Sequence, residues 1–173
     1  MFIINDLKKF EFNYEPELTG YLDNIGTKDI SDVDILKITL WKVARYPHVS
    51  NETLTRLNEL RKIKDIKNNK NDRQRAEDIL KLLLQCKGVR LPMASTYLRF
   101  RNPNVFQIID RHVWYQIYRN EYVESNKVDE QITKYFKYLE DLRIRCDKDG
   151  IKFFDADRYY YLIDKKSGHK IGK

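Results

Sequence analysis

The fold is decided by residues 82–118, LLLQCKGVRLPMASTYLRFRNPNVFQIIDRHVWYQIY. The stretch opens on the end of an amphipathic helix, which the spacing of apolar side chains predicts from about residue 72 to 85. Gly88 breaks that helix within a short connection at 86–90. Pro92 then falls in the first turn of the next helix, where proline loses no needed hydrogen bond. The pattern predicts two helices joined by a tight hairpin, over about residues 72–101.

Asp110 stands at the start of a third helix in this stretch. An Asn-Pro-Asn turn at 102–104 ends the second helix, and a short apolar run at 105–109 leads to Asp110. Aspartate is a preferred N-cap, so the simplest interpretation is that its carboxylate caps the helix at 111–118. A catalytic role is the alternative, and a capping carboxylate can also be catalytic.

The remainder of the chain also predicts helices. Ser31 and Asp34 have the spacing of a capping box before an apolar helix that ends ahead of Pro47. Further helices are expected after residue 50, over about 129–145 before a turn at 147–150, and over about 155–165. Only 6 glycines and 4 prolines are present, which disfavours a β-fold with many tight turns. We predict an all-α fold.

The charge and the cysteine count limit the functional classes. Lys and Arg outnumber Asp and Glu by 33 to 26, a net charge of +7 that favours a polyanionic partner. Two cysteines exclude a disulfide framework and any four-cysteine zinc or iron–sulfur site. No stretch approaches the roughly 20 apolar residues of a membrane span. We expect a cytoplasmic protein, monomeric, with no membrane association.

The hairpin string Cys86-Lys87-Gly88-Val89-Arg90-Leu91-Pro92-Met93-Ala94 and the string Ile109-Asp110-Arg111-His112-Val113 carry a resemblance. They resemble the helix-hairpin-helix superfamily of DNA glycosylases, whose hairpin reads roughly L-P-G-V-G-x-K-x-A and whose aspartate follows downstream. The chain is nearest to bacterial members, without an assigned activity, that have Asn-Pro before the aspartate. About forty residues match closely, and the rest matches as helices in a plausible order.

The resemblance implies a two-lobed helical bundle and a base-excision DNA glycosylase acting on double-stranded DNA. It implies that residues 1–173 form one domain, in which 1–30 plus 120–173 make up a second lobe. Asp110 would act at the sugar of a flipped nucleotide. Lys87, Gly88, Val89 and Arg90 would bind the phosphate backbone. In the family, hairpin carbonyls can hold a monovalent cation, and this is the one ion the resemblance suggests.

Two positions depart from the family pattern. Arg90 replaces the second hairpin glycine, where glycine permits a positive φ and close approach of phosphate. Pro92 occupies the position of the lysine that forms a Schiff base in bifunctional members, so the resemblance implies a monofunctional enzyme without lyase activity. The four-cysteine cluster of some members is absent from this sequence.

Other candidate residues have weaker support. Trp41 and Tyr159 are candidates for a base pocket, because aromatic rings stack on bases. Asp155 and Asp157 have no histidine near them in the sequence, so we predict no metal site and no cofactor beyond the hairpin cation. Two alternatives to a glycosylase stay open. One is a helix-hairpin-helix protein that binds nucleic acid without catalysis, and the other is a diverged member with no DNA role.

Overall fold

The computed structural model describes residues 15–27, 29–43 and 47–171. Contacts between residues divide the chain into two compact units, Met1–Tyr46 and Pro47–Lys173, which are described separately. All regular structure in the described residues is helical, and they contain no β-strand. The prediction of an all-α fold is therefore confirmed.

Eight α-helices are described. They are α1 (Pro16–Asp23), α2 (Asp32–Lys42), α3 (Asn51–Glu59), α4 (Lys70–Gln85), α5 (Leu91–Arg101), α6 (Arg111–Tyr118), α7 (Val128–Asp149) and α8 (Ala156–Ser167). Single 3-10 turns occur at Ile25–Thr27, Leu60–Lys62 and Phe153–Asp155. From α3 onward, the connections between consecutive α-helices run from five residues, at 86–90, to ten, at 60–69.

The first unit contains α1 and α2, which pack against each other. The capping box expected at the start of α2 is confirmed, since Ser31 and Asp34 bind each other's backbone N–H groups. Trp41, near the end of α2, donates its indole N–H to the Thr19 hydroxyl on α1 at 2.9 Å.

The second unit holds a continuous apolar core. It draws on α4, α5, α6, α7, α8 and the non-helical segment 105–109, and its fully buried side chains include Leu80, Leu83, Leu98, Phe106 and Leu139. α4 packs on α5 and α7, and α6 packs along α8. The segment that leads to Asp110 is thus enclosed by helices on several sides.

α7 is longer than the sequence predicted. The turn expected at 147–150 is wrong for its first three residues, because α7 continues to Asp149 and ends on Gly150 with φ 69°. Arg145 forms an ion pair with Asp149 one turn later, 2.7 Å between Nε and Oδ2, and Tyr160 donates its hydroxyl to the same oxygen. These contacts stabilise the last helical turn of α7, where the sequence had predicted a turn between helices.

The predicted lobes are only partly covered by the structure. Residues 120–171 lie in the same compact unit as the hairpin helices, while residues 1–14 and 28 of the other predicted segment lie outside the described part. The grouping of 1–30 with 120–173 stays a prediction. Among the described residues, no helix combines the length and apolar character needed to cross a membrane.

Candidate active site

Asp110 caps α6, as its position in the sequence predicted. Its backbone is extended (φ −115°, ψ 149°), and its Oδ1 accepts hydrogen bonds from the backbone N–H groups of His112 (2.8 Å) and Val113 (3.4 Å). Within the described part of the chain, Oδ2 takes part in no hydrogen bond and Asp110 in no ion pair. One carboxylate oxygen therefore fixes the side chain, and the other is available to a ligand.

Two buried tyrosines of α7 hold the segment that precedes Asp110. Tyr135 donates its hydroxyl to the Gln107 carbonyl at 2.9 Å, and Tyr138 donates to the Ile108 carbonyl at 2.7 Å. Burial raises the pKa of both phenols well above the ordinary value, so both remain hydrogen-bond donors at neutral pH. The carbonyl groups of this non-helical segment are thereby satisfied without a sheet or helix.

The hairpin helix α5 also contacts this segment. Ser95, fully buried in the middle of α5, accepts a hydrogen bond from the Ile109 backbone N–H at 3.1 Å and donates to the Pro92 carbonyl at 2.8 Å. The backbone directly before Asp110 is thus attached to the helix that follows the hairpin. A change in the position of α5 would be transmitted to the carboxylate through this bond.

Asp110 lines a cavity of about 500 Å³ between α5, α6 and α8. The apolar part of its lining comes from Phe100, Ile108, Val113, Tyr161 and Leu162. Phe100 and Tyr161 are substantially exposed aromatic rings at its edge. Apolar walls with a few converging polar groups are typical of small-molecule sites, and such cavities measure roughly 300–1,000 Å³.

The charged part of the lining consists of Asp110, the exposed Arg158 and a buried ion pair. Nε of Arg99 lies 3.3 Å from Oδ2 of Asp157, and each side chain is only 5% exposed. Arg99 also donates to the Phe154 carbonyl at 3.1 Å, and the backbone N–H of Asp157 donates to the Gln107 side-chain oxygen at 3.3 Å. Since Arg99 neutralises Asp157, Asp110 is the carboxylate of this lining without a cationic partner.

The hairpin at 86–90 joins α4 to α5 in the predicted place. Gly88 has φ 82°, whereas Arg90 is extended with φ −110° and is the N-cap of α5 without a side-chain capping bond. Lys87 and Gly88 are exposed and Val89 is buried in the core. The Arg90 guanidinium, on a side chain 81% exposed, lies 3.2 Å from Glu124.

The hairpin and the cavity lie at opposite ends of α5. From Leu91 to Arg99 the helix rises about 12 Å at about 1.5 Å per residue. That length corresponds to three or four base steps of DNA, at about 3.4 Å each. The hairpin connection and the cavity are therefore separated by about the length of three or four base steps along α5.

Of the two predicted base-pocket residues, only Tyr159 belongs to the unit that contains the cavity, and a base-pocket role for Trp41 stays a prediction. Trp41 belongs to the Met1–Tyr46 unit. Tyr159 is on α8 but its ring contacts Tyr160, and among the described residues the aromatic side chains lining the cavity are Phe100 and Tyr161. Sequence analysis named Tyr159 but not Tyr161, the ring that lines the cavity with Asp110. It also missed Arg99 and Phe100, because the helical period of α5 marked neither.

Comparisons with known proteins give no relative. No protein-family model matches the chain, and no curated protein and no solved structure matches it either.

Proposed function

We propose that the protein is a monofunctional DNA glycosylase, which hydrolyses the N-glycosidic bond of a damaged base in double-stranded DNA. The proposal depends above all on Asp110, whose carboxylate caps a helix through Oδ1. Its Oδ2 accepts no hydrogen bond from the described residues, and the cavity that it lines has apolar walls with a few charged groups. The hairpin resemblance and the net charge of +7 support it independently.

In this proposal the damaged nucleotide leaves the base stack and its base enters the cavity. An enzyme acting on the C1′–N bond must expose that bond by flipping the nucleotide, which costs a few kcal/mol. Phe100 and Tyr161 offer ring faces at the cavity edge, and stacking on an aromatic ring is worth about 1–3 kcal/mol per base. The apolar walls therefore repay part of the cost of unstacking.

Asp110 acts on the sugar. Positive charge develops at C1′ as the bond to the base breaks, and an ionised carboxylate beside it stabilises that charge. Oδ2 can also accept a proton from the water that attacks C1′, so that the water oxygen becomes the new hydroxyl at C1′. The base departs with the electron pair of the broken bond and takes up one proton from solvent, and Asp110 releases its proton to solvent. The backbone N–H groups on Oδ1 hold the carboxylate in place throughout.

The hairpin binds the phosphate backbone. The first turn of α5 has no side-chain cap, and Pro92 in it has no N–H, so the N–H groups of Leu91 and Met93 and the helix dipole can receive a phosphate. Lys87 and Arg90 add positive charge from exposed positions. The contact of Arg90 with Glu124 is solvent-exposed, and such pairs are worth about 0–1 kcal/mol, so a phosphate can displace it.

Pro92 is the reason for proposing a glycosylase without lyase activity. A lyase of this class uses a lysine amine to form an imine with the sugar, and proline at the matching position has no such amine. We therefore expect the product to be an intact abasic site, cleaved only after alkali treatment.

A non-catalytic nucleic-acid-binding protein is the second candidate. It is favoured by the complete explanation of Asp110 as an N-cap, since the two bonds to Oδ1 account for an aspartate there without any reaction. This candidate predicts duplex binding that depends steeply on salt and that is unchanged when Asp110 loses its charge.

The test is base excision from a panel of short duplexes. Each duplex contains one of uracil, hypoxanthine, oxidised guanine or alkylated adenine, and abasic product is revealed by alkali. Wild type is compared with Asp110→Asn, which keeps the cap because Asn and Asp cap equally well. Asp129→Asn, an exposed carboxylate in the first turn of α7, is the matched control.

We expect wild type and Asp129→Asn to excise one of these bases and Asp110→Asn to lose at least about a hundredfold in rate, as for removal of one electrostatic group. Duplex binding should persist in Asp110→Asn. Excision that is undiminished in Asp110→Asn would reject the role of this carboxylate. Binding without excision of any base would favour the second candidate.

A further inference from the structure

Three side chains that are distant in the sequence meet where α6 packs on α8. They are His112 on α6, Asp164 on α8 and His169 just beyond α8. Oδ2 of Asp164 lies 2.7 Å from Nδ1 of His112 and 2.9 Å from Nδ1 of His169. The ligand-capable atoms of all three residues lie within 4.8 Å of one another.

The cluster is enclosed but reachable. The Asp164 side chain is fully buried, while the His112 and His169 side chains are 14% and 16% exposed. The Asp164 carboxylate and the two imidazoles therefore offer a metal ion one carboxylate oxygen and two ring nitrogens as ligands. The exposed ring edges give an ion in solution a path to it.

Further side chains orient these groups as an outer shell. Gln116 donates its amide N–H to Oδ1 of Asp164 at 2.6 Å, which leaves Oδ2 directed at the histidines. Oε1 of Glu121 lies 3.6 Å from Nε2 of His169, on the ring nitrogen away from the cluster. A carboxylate on the far nitrogen of a histidine is a recurring partner of metal-binding imidazoles, because it favours the tautomer whose other nitrogen binds the ion.

Aromatic contacts restrict both imidazole rings. Tyr115 stacks on His169 with ring centroids 3.6 Å apart, and Tyr161 meets His112 edge to face at 5.1 Å. Rings held in this way lose little side-chain freedom when they bind an ion, so less of the binding free energy is spent on ordering the site.

We propose that this cluster, defined as His112, Asp164 and His169, binds a divalent transition metal of the zinc class. Nδ1 of each histidine and Oδ2 of Asp164 supply three ligands, and water supplies the fourth. Both rings then carry their proton on Nε2, and the Nε2–H of His169 lies on the side of the ring that faces Oε1 of Glu121, 3.6 Å away. Imidazole with carboxylate suits Zn²⁺, whereas Mg²⁺ and Ca²⁺ prefer oxygen ligands throughout.

The geometry needs only a small adjustment. Bonds of about 2.0–2.2 Å in a tetrahedral site place ligand atoms about 3.3 Å apart, so the two N–O distances would open by roughly half an ångström. The two histidine nitrogens, which lie within 4.8 Å of each other, would settle at the same separation. The ion would attach the segment beyond α8 to α6, the helix whose N-cap is Asp110. This inference is independent of any action on DNA.

Metal titration of the full chain, without a polyhistidine tag, tests the site. Co²⁺ is used as a visible probe, because four-coordinate Co²⁺ with nitrogen and oxygen ligands has d–d absorption bands. Zn²⁺ affinity is then measured by calorimetry, and Tm is recorded with and without Zn²⁺. The variants are His169→Gln and His112→Gln, and His48→Gln, the third histidine of the chain, is the matched control.

We expect one ion per chain, four-coordinate Co²⁺ bands, and a rise in Tm on adding Zn²⁺ in wild type and in His48→Gln. Each cluster variant should lose at least about tenfold in Zn²⁺ affinity, the lower bound even for losing an outer-shell partner. If His169→Gln does not fold, His112→Gln decides. Absence of these Co²⁺ bands, or wild-type Zn²⁺ affinity in a folded cluster variant, would overturn the proposal.

Discussion

Gly88 and Arg90 stand two residues apart in the hairpin, with different backbone conformations. Gly88 has φ 82°, in the region where a Cβ is strained, and Arg90 has φ −110°, which any residue adopts. Arginine at the position of the family's second glycine is therefore compatible with the hairpin backbone. Its effect on function would come from its side chain and its contact with Glu124.

The hairpin backbone gives a stability prediction. Gly88→Ala should lower the free energy of unfolding by about 1–2 kcal/mol, the cost of a left-handed conformation in a residue with a Cβ. Arg90→Ala, with its extended backbone and exposed side chain, should change it by less than about 0.5 kcal/mol. Urea unfolding of the two variants beside wild type measures both. Equal destabilisation by the two substitutions would contradict the assignment.

The two cysteines should differ in reactivity. Burial raises the pKa of Cys146 to about 11, whereas Cys86 is half-buried at the hairpin. At pH 8 a thiol reagent should label Cys86 in the folded chain and leave Cys146 until denaturant is added. Cys86→Ser should abolish the fast labelling. Rapid labelling of both thiols in the native state would show that the core around α7 is open.

The same thiol gives a dependence of stability on pH. The pKa of Cys146 is raised in the folded chain from its ordinary value near 9.0. Its contribution to stability is therefore fully present below pH 9 and is lost as pH rises toward 11. Cys146→Ala should make Tm fall less steeply over this pH range. An unchanged slope of Tm against pH would contradict a contribution of Cys146.

At the level of elements, α5 positions Asp110 through one buried hydrogen bond. Ser95→Ala leaves the buried Ile109 N–H without its partner, so the free energy of unfolding should fall by about 1–3 kcal/mol. Thr96→Ala is the matched control, because Thr96 donates to the same Pro92 carbonyl but does not contact Ile109. Chemical denaturation measures both. An equal fall in the free energy of unfolding in the two variants would mean that the hydrogen bond between Ser95 and Ile109 does not stabilise the fold.

Local signals were sufficient to predict most helices. The Ser31–Asp34 capping box, Pro92 in the first turn of α5 and Asp110 before α6 all depend on residues within four positions of each other. The end of α7 was not predictable in this way. Besides the local pair of Arg145 with Asp149, it involves Tyr160, whose hydroxyl reaches Asp149 from another helix.

Across the whole molecule, the site depends on pairings that sequence spacing does not encode. Arg99 meets Asp157 and His112 meets Asp164 across more than fifty residues, the first through an ion pair between α5 and α8 and the second where α6 packs on α8. The same packing selects Tyr161, and not its neighbour Tyr159, to line the cavity with Asp110. The sequence therefore predicted Asp110 as the N-cap of α6 and the connection between α4 and α5, but neither the cavity lining nor the histidine cluster.

The net charge of +7 predicts that duplex binding weakens as salt rises. Lys87→Ala should reduce the slope of log Kd against log salt by about one, the value for one lost phosphate contact. Lys67→Ala is the charge-matched control. Lys67 precedes α4 and Lys87 follows it, so the two are separated by a helix about 24 Å long. Fluorescence anisotropy measures the slope of log Kd against log salt for both variants. Equal slopes for Lys87→Ala and Lys67→Ala would show that Lys87 of the hairpin makes no phosphate contact.

The most direct test of Asp110 needs no knowledge of the damaged base. Two duplexes are compared in binding, one with a neutral tetrahydrofuran abasic analogue and one with a cationic pyrrolidine analogue that imitates the charge developing on the sugar. Wild type should prefer the cationic duplex by at least about tenfold, or about 1.4 kcal/mol, and Asp110→Asn should bind the two equally. Equal binding by wild type, or a preference that survives in Asp110→Asn, would contradict a carboxylate acting at the sugar.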